Sequence, residues 1–419
     1  MKTTLLLLAA VMAGLCAVGE SSPAAGRDFS DPAMVPTPPA GAIGFPIRTP
    51  DFDALPGFQK PPPGYGEVAF YWWLGDPLTK ERLGWRLDQL ASVNGVMGLQ
   101  INYAHSDRGG PSYGLTFPSE PPLFSPSWWE LVGWFMGEAK QRGLAISLSD
   151  YTLGVGQGWS VDEVLKANPD LQGSVLKAET KETEGDREFL WQLAAQPLAI
   201  SACRLAGGQA VADSLTDLRG LVQGDLLRWP APAGRWRVVA VRAERVAPSL
   251  DPMHPRSGAA YAGKFFGQFT DRHPDEGGKG LNFFFSDELE FRVGGHLWNA
   301  RFAEEFRQRK GYDIVPELAA LFTDIGPRTP KVRLDFSAVQ VALTEEGFFK
   351  PVFDWHQQRG MIYGCDHGGR GRNVVEFGDY FRTQRWKQGP GCDQPGLSSD
   401  IIKNKVASSI SHLYLRPPH

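Results

Sequence analysis

Between Leu281 and Trp298 the chain reads LNFFFSDELEFRVGGHLW, an apolar run that gives way at once to Asp287, Glu288 and Glu290. A short run without polar alternation predicts a strand buried on both faces, as in a parallel sheet, with the acids at its carboxyl end. Barrel enzymes keep their chemistry at that end of the strand. Asp287 and Glu288 are adjacent and face opposite ways along an extended segment, whereas Glu288 and Glu290 share a face. Like charges that close push one pKa upward, which turns a carboxyl group into a proton donor near neutral pH. The competing reading is that the acids open the helix after them, where negative charge is favoured. The functional reading is preferred, because three phenylalanines running straight into D-E-x-E suit a strand tip better than an ordinary cap.

The rest of the chain repeats the order strand, polar strand end, helix. Glu67 to Trp73 (EVAFYWW) predicts a strand, and Thr79 to Val93 an amphipathic helix with Leu83, Leu87 and Leu90 on one side. Gly95 to Tyr103 predicts a second strand, and Pro126 to Arg142 a helix with Trp128, Leu131, Val132, Phe135 and Ala139 inward. Leu144 to Ser149 predicts the third strand, and Ser160 with Glu163 a capping box for the helix that follows. From Pro169 to about Leu250 the pattern shifts to alternating segments bounded by Gly and Pro, which predict short antiparallel strands. Helical periodicity then returns. Trp298 to Arg309 and Asp335 to Arg359 predict helices, Met361 to Cys365 a strand, and Asp400 to Tyr414 a last helix.

The expectation is an α/β fold of the (β/α)8 TIM-barrel type, incomplete at about six strands, with a β-rich insertion. A doubly wound sheet ranks second, because no glycine-rich phosphate fingerprint follows the first strand. The expected parts are a signal peptide at 1–19, a Pro- and Gly-rich leader at 20–66, barrel segments at 67–168 and 251–419, and the insertion at 169–250. After the last helix the pattern demands a seventh strand, which Arg416-Pro417-Pro418-His419 cannot supply. The chain is therefore expected to be an incomplete enzyme, unless the leader or the insertion lends strands that close the barrel.

The net charge of −4 is spread along the chain without a basic block, which argues against nucleic acid as a partner. Lys2, the apolar run from Leu5 to Val18 and the small-residue site Ala17-Val18-Gly19 predict a secretory leader, hence a secreted or periplasmic protein. The run is short for a bilayer span and no other segment approaches ~20 apolar residues, so no integral membrane segment is expected in the mature protein. Cys16 raises lipidation, but Leu15 stands before it where a small residue is wanted, and cleavage is preferred. Cys203, Cys365 and Cys392 remain, without metal-type spacing; a Cys365 to Cys392 disulfide and free thiols are both open.

Three stretches resemble the glycoside hydrolases of family 106, the α-L-rhamnosidases, and related secreted bacterial proteins. They are FYWWLGDPLTKERLGWRLDQLASVNGVMGLQI, SDELEFRVGGHLWNARFAEEFRQRKGYDIVPEL, and the segment from Tyr363 through Gly396. The pattern of Trp298, Phe302, Phe306 and Arg309 before Gly311-Tyr312-Asp313 is the more specific part; an acidic strand tip alone is not. The resemblance implies a catalytic (β/α)8 barrel that hydrolyses terminal glycosidic bonds with inversion and holds a calcium ion near the sugar. It places Asp287, Glu288 and Glu290 at the family's acidic strand tip, with Glu290 the first choice for a catalytic carboxylate. Gly364-Cys365-Asp366-His367-Gly368-Gly369 departs from the rhamnosidase wording, so the substrate is less fixed than the reaction class.

Glycosidases need a second carboxyl group across the bond. Asp366 and Asp393 are candidates; Glu376 reads better as a surface acid. Asp366-His367 would suit a hydroxyl pair or a cation, and equally a turn in which the aspartate bonds its own backbone. Asp393, in P-G-C-D-Q-P-G, is explained by turn chemistry alone. Asn102 and His105, and Asp150 with Tyr151, stand at the second and third strand ends and could bond sugar hydroxyls, although a lone loop histidine is usually plain surface. Trp72 and Trp73 are expected to split between core and pocket floor, and Arg382 with Arg385 and Trp386 to form a positioning group, although helix-face arginines are usually solvated. The leading expectation is a secreted glycoside hydrolase acting on plant or microbial polysaccharide, using calcium and no organic cofactor. The alternative is a sugar-binding barrel, or a fragment, without catalysis.

Overall fold

Parallel strands alternate with helices at both ends of the chain, and a block of antiparallel strands separates them. The computed structural model describes residues 67–73, 77–93, 95–103, 119–149, 159–277, 281–286, 291–365, 380–391 and 401–414. The first part runs β1 (Glu67–Trp73), α1 (Lys80–Ala91), β2 (Val96–Tyr103), α2 (Pro126–Gln141), β3 (Ala145–Ser149) and α3 (Trp159–Ala167). The middle holds β4 (Gln172–Glu184), β5 (Arg187–Gln192), β6 (Ala199–Ala206), β7 (Gln209–Ala210), β8 (Thr216–Asp217), β9 (Val222–Gln223), β10 (Leu226–Ala231) and β11 (Arg235–Leu250). The last part runs α4 (Ser257–Lys264), α5 (Phe266–Arg272), β12 (Leu281–Ser286), α6 (Phe302–Lys310), α7 (Thr329–Thr344), α8 (Lys350–Gln357), β13 (Ile362–Cys365), α9 (Tyr380–Gln384), β14 (Gly389–Pro390) and α10 (Ile401–Leu413).

Local chemistry sets several of these boundaries. Thr79 and Ser125 cap α1 and α2 by accepting from Arg82 N at 3.3 Å and Trp128 N at 3.2 Å. Each such cap stabilises its helix by about 1 kcal/mol. α6 stops at Gly311, whose φ of 78° is a left-handed conformation that a side chain disfavours. The segment expected as one helix from Asp335 to Arg359 is interrupted: a π turn at Glu345–Phe349 separates α7 from α8.

The barrel expectation is overturned. Among the described residues, the parallel strands form an open six-stranded sheet in the order β1-β2-β3-β12-β13-β14, and β14 does not pair back onto β1. A barrel requires that last pairing. β14 offers two residues for it, one of them Pro390, which has no N–H to donate. The remaining strands are antiparallel and make two further sheets, β4-β11-β6-β7 with β8 on β6, and β5-β10-β9. The molecule therefore joins an open parallel sheet and its helices to an antiparallel module.

The larger core spans both parts, since Val175, Leu176, Val239 and Val241 of the antiparallel strands share it with the parallel sheet. It takes in Leu99, Ile101, Ile146 and Leu148 of the parallel sheet with Leu83, Leu87, Phe135 and Met136 of the helices over it. A second, around Trp191, Trp229 and Trp236, is internal to the antiparallel module. No described helix is long and apolar enough to cross a membrane.

Candidate functional site

In an open parallel sheet, ligands bind beyond the carboxyl ends of the strands. Here these ends are aligned by register: Trp73 with Tyr103, Ser149 with Phe285, Ser286 with Cys365, and Cys365 with Pro390. The residues next in sequence after β3, β12 and β13 are Asp150, Asp287 and Asp366. Those three strands are neighbours. Asp150, Tyr151, His105, Asp287, Glu288, Glu290, Asp366, His367 and Asp393 themselves lie outside the described residues, as does Glu376. So do the side chains of Trp72, Asn102 and Cys365; the backbones of Trp72 and Asn102 are partners in the β1–β2 register.

Trp73 belongs to the core. It is 3% exposed, and its ring stands edge-on to Phe135 of α2 at 5.4 Å. On the strands beside it the apolar residues point the same way, and the alternate positions carry buried polar groups. Gln100 of β2 is paired in register with Ser147 of β3, and the Ser147 hydroxyl donates to the Gln100 carbonyl oxygen. The Gln100 amide nitrogen is buried without a protein partner. Side chains that alternate along a strand face opposite sides, so this polar pair lies on the sheet face away from the Leu99 and Ile101 core.

Arg382 is joined to a carboxylate that no motif singles out. Glu345, in the π turn, is 3% exposed. It takes the Arg382 guanidinium on one oxygen; on the other it takes Arg385 Nη2 at 2.7 Å and the Trp386 indole N–H at 3.0 Å. A buried carboxylate is tolerable when its charge and lone pairs are matched in this way. One step further along, Gln388 accepts from Tyr363 N at 3.1 Å and donates to Phe353 O at 3.0 Å. These bonds fasten the entry to β14 onto both β13 and α8. Beneath them His356 is fully buried, donates from Nδ1 to Val352 O at 2.8 Å and stacks on Tyr363 at 4.7 Å. Burial holds its pKa down to about 3, so the ring is neutral and structural.

The motif around Gly311-Tyr312-Asp313 is structural. Phe302 and Phe306 are fully buried, Tyr312 stands edge-on to Phe306 at 5.0 Å, and the Tyr312 hydroxyl donates to Asp335 at 3.1 Å. Asp313 accepts from Val315 N at 2.9 Å and opens the next turn. Cys203 is buried and unbridged, and burial raises its thiol pKa. Among the described residues no three His, Cys, Asp or Glu side chains converge as metal ligands.

Residues 200–415 match the family of α-L-rhamnosidases, glycoside hydrolase family 106. A solved structure of a rhamnosidase from Novosphingobium sp. PP1Y is similar with a TM-score of 0.61 at 14% identity, covering 86% of this chain. The chain spans about half of that protein, 52% of its length. At that identity the likeness is one of fold. No curated protein matches the sequence.

Proposed function

The chain belongs to the α-L-rhamnosidase family, and from that premise we propose that it is a glycoside hydrolase whose site lies at the carboxyl edge of β3, β12 and β13. The observation that carries the reading is the register of those strand ends, each followed in sequence by an aspartate. In this reading Glu290 protonates the departing glycosidic oxygen, and a second carboxyl group, Asp366 or Asp393, activates water on the opposite face of the sugar. Asp287 and Glu288 complete the acidic tip. Asn102, His105, Asp150, Tyr151 and His367 bond sugar hydroxyls, and calcium, bound by the same strand-end oxygens, fixes the ring. The substrate is a terminal α-L-rhamnoside or a related sugar on plant or microbial polysaccharide, met after export through the leader at 1–19.

A panel of aryl glycosides incubated with the purified chain tests this. Release of the aryl group from the α-L-rhamnoside above the uncatalysed rate is the expected result. Tight binding of the sugar without turnover would replace the reading with a non-catalytic sugar receptor.

A further inference from the structure

Glu345 is held by three groups of the segment that leads into β14, and the turn that carries it packs closely on backbone on two flanks. The π turn is pressed onto the loop after β11: a Cβ on Gly347 would lie 2.7 Å from Pro252 O and 2.8 Å from His254 O. On its other flank, a Cβ on Gly258 of α4 would lie 2.4 Å from Phe348 O. Only glycine fits at these two positions, so the turn and its neighbours pack backbone to backbone. π turns inside α-helices are frequent at functional sites, because the extra residue redirects a side chain. Here the redirected side chain is a carboxylate in the core, opposite two guanidinium groups and an indole.

Arg382, Arg385 and Trp386 are followed by Gln388, β14 and Gly391. β14 lies beside β13 with Cys365 opposite Pro390, and so it ends on the same edge as β12 and β13. A strand of two residues contributes few ladder bonds of its own, and its placement depends on what holds the chain before it. We propose that Glu345 is a positioning residue: through Arg382, Arg385 and Trp386 it fixes β14, and with it the strand end that completes the carboxyl edge of the sheet. The inference rests on the reading of that edge as the glycosidase site. Arg382 thereby acts on the inner side of the strand end as part of its mounting.

The test compares Glu345→Gln with wild type, and with Glu346→Gln as a control whose carboxylate binds Arg309 at 2.8 Å on the outer side of the turn. Amide hydrogen exchange is followed over residues 380–391, and kinetics on an aryl α-L-rhamnoside are measured well below the melting temperature. Glu345→Gln is expected to raise exchange at 386–391 about tenfold with α4 and β11 unchanged. It is also expected to lower kcat about 10- to 100-fold while KM stays within about threefold, since a displaced group costs the transition state more than the ground state. A role confined to stability would lower the melting temperature and leave kcat alone, and that result overturns the proposal. So does unchanged exchange at 386–391. If wild type is inert on every glycoside while the exchange still rises, the glycosidase reading fails and the anchoring of β14 stands.

Discussion

Asp251 stands where β11 hands the chain to α4, and it is 5% exposed. It accepts from Met253 N at 2.9 Å and from Asn299 Nδ2 at 2.8 Å, yet burial outweighs both bonds and pushes its pKa up to about 6. A carboxyl group whose folded pKa lies above its unfolded value holds its proton more tightly when folded. Its contribution is therefore full below the unfolded value near 4, and is lost as pH rises through about 6. The loss amounts to about 3 kcal/mol, at about 1.4 kcal/mol per pKa unit. Asp251→Asn cannot ionise, so its stability relative to wild type should improve by up to that amount between pH 4 and pH 7. Denaturant unfolding of both proteins across that range measures it. A difference independent of pH would mean that Asp251 is charged in the fold.

The elements pose the question of packing. Gly347→Ala and Gly258→Ala each place a methyl against backbone carbonyl oxygens, at 2.7 and 2.4 Å, with no flexible side chain to yield. Overpacking of this kind costs about 1–3 kcal/mol, and a melting temperature lowered by several degrees in both variants is the expected outcome. Melting unchanged from wild type would show that the π turn can shift. The turn is also where reading the sequence stopped short. The pattern put Val339, Leu343, Phe348, Val352 and Trp355 on one inner face; the first four are buried and Trp355 is partly buried against the same core. The step of five residues from Leu343 to Phe348, too long for one face of an α-helix, is where the π turn inserts its extra residue. Helix starts were legible near Thr79 and at Pro126, and strands from runs such as EVAFYWW. The fate of the strands was not: alternating strand and helix suits a closed barrel and an open sheet equally, and closure depends on pairings between residues far apart in sequence. For the candidate site, register across strands was not readable, and the pairing of Gln100 with Ser147 came only from the structure. The buried Glu345 gave no signal, since an acid beside an acid on a long helix reads as a solvated face.

At the scale of the molecule, an antiparallel module with a tryptophan core of its own joins an open parallel sheet through a shared apolar core that includes Val175, Leu176, Val239 and Val241. The proposed chemistry belongs to the acidic edge of the parallel sheet. If calcium is held there by the strand-end carboxylates, exhaustive chelation should lower the melting temperature and abolish turnover, and added calcium should restore both. A protein indifferent to chelation in both respects carries no such ion. In the proposed reaction Glu290 supplies the proton for glycoside cleavage. The most direct measurement is kcat on an aryl α-L-rhamnoside with a poor leaving group, for wild type and for Glu290→Gln, with the fold of each checked by circular dichroism. The account predicts clear turnover by wild type and a loss of about 100-fold or more in the variant, the range of one general acid. A folded Glu290→Gln protein that turns over at the wild-type rate would contradict it.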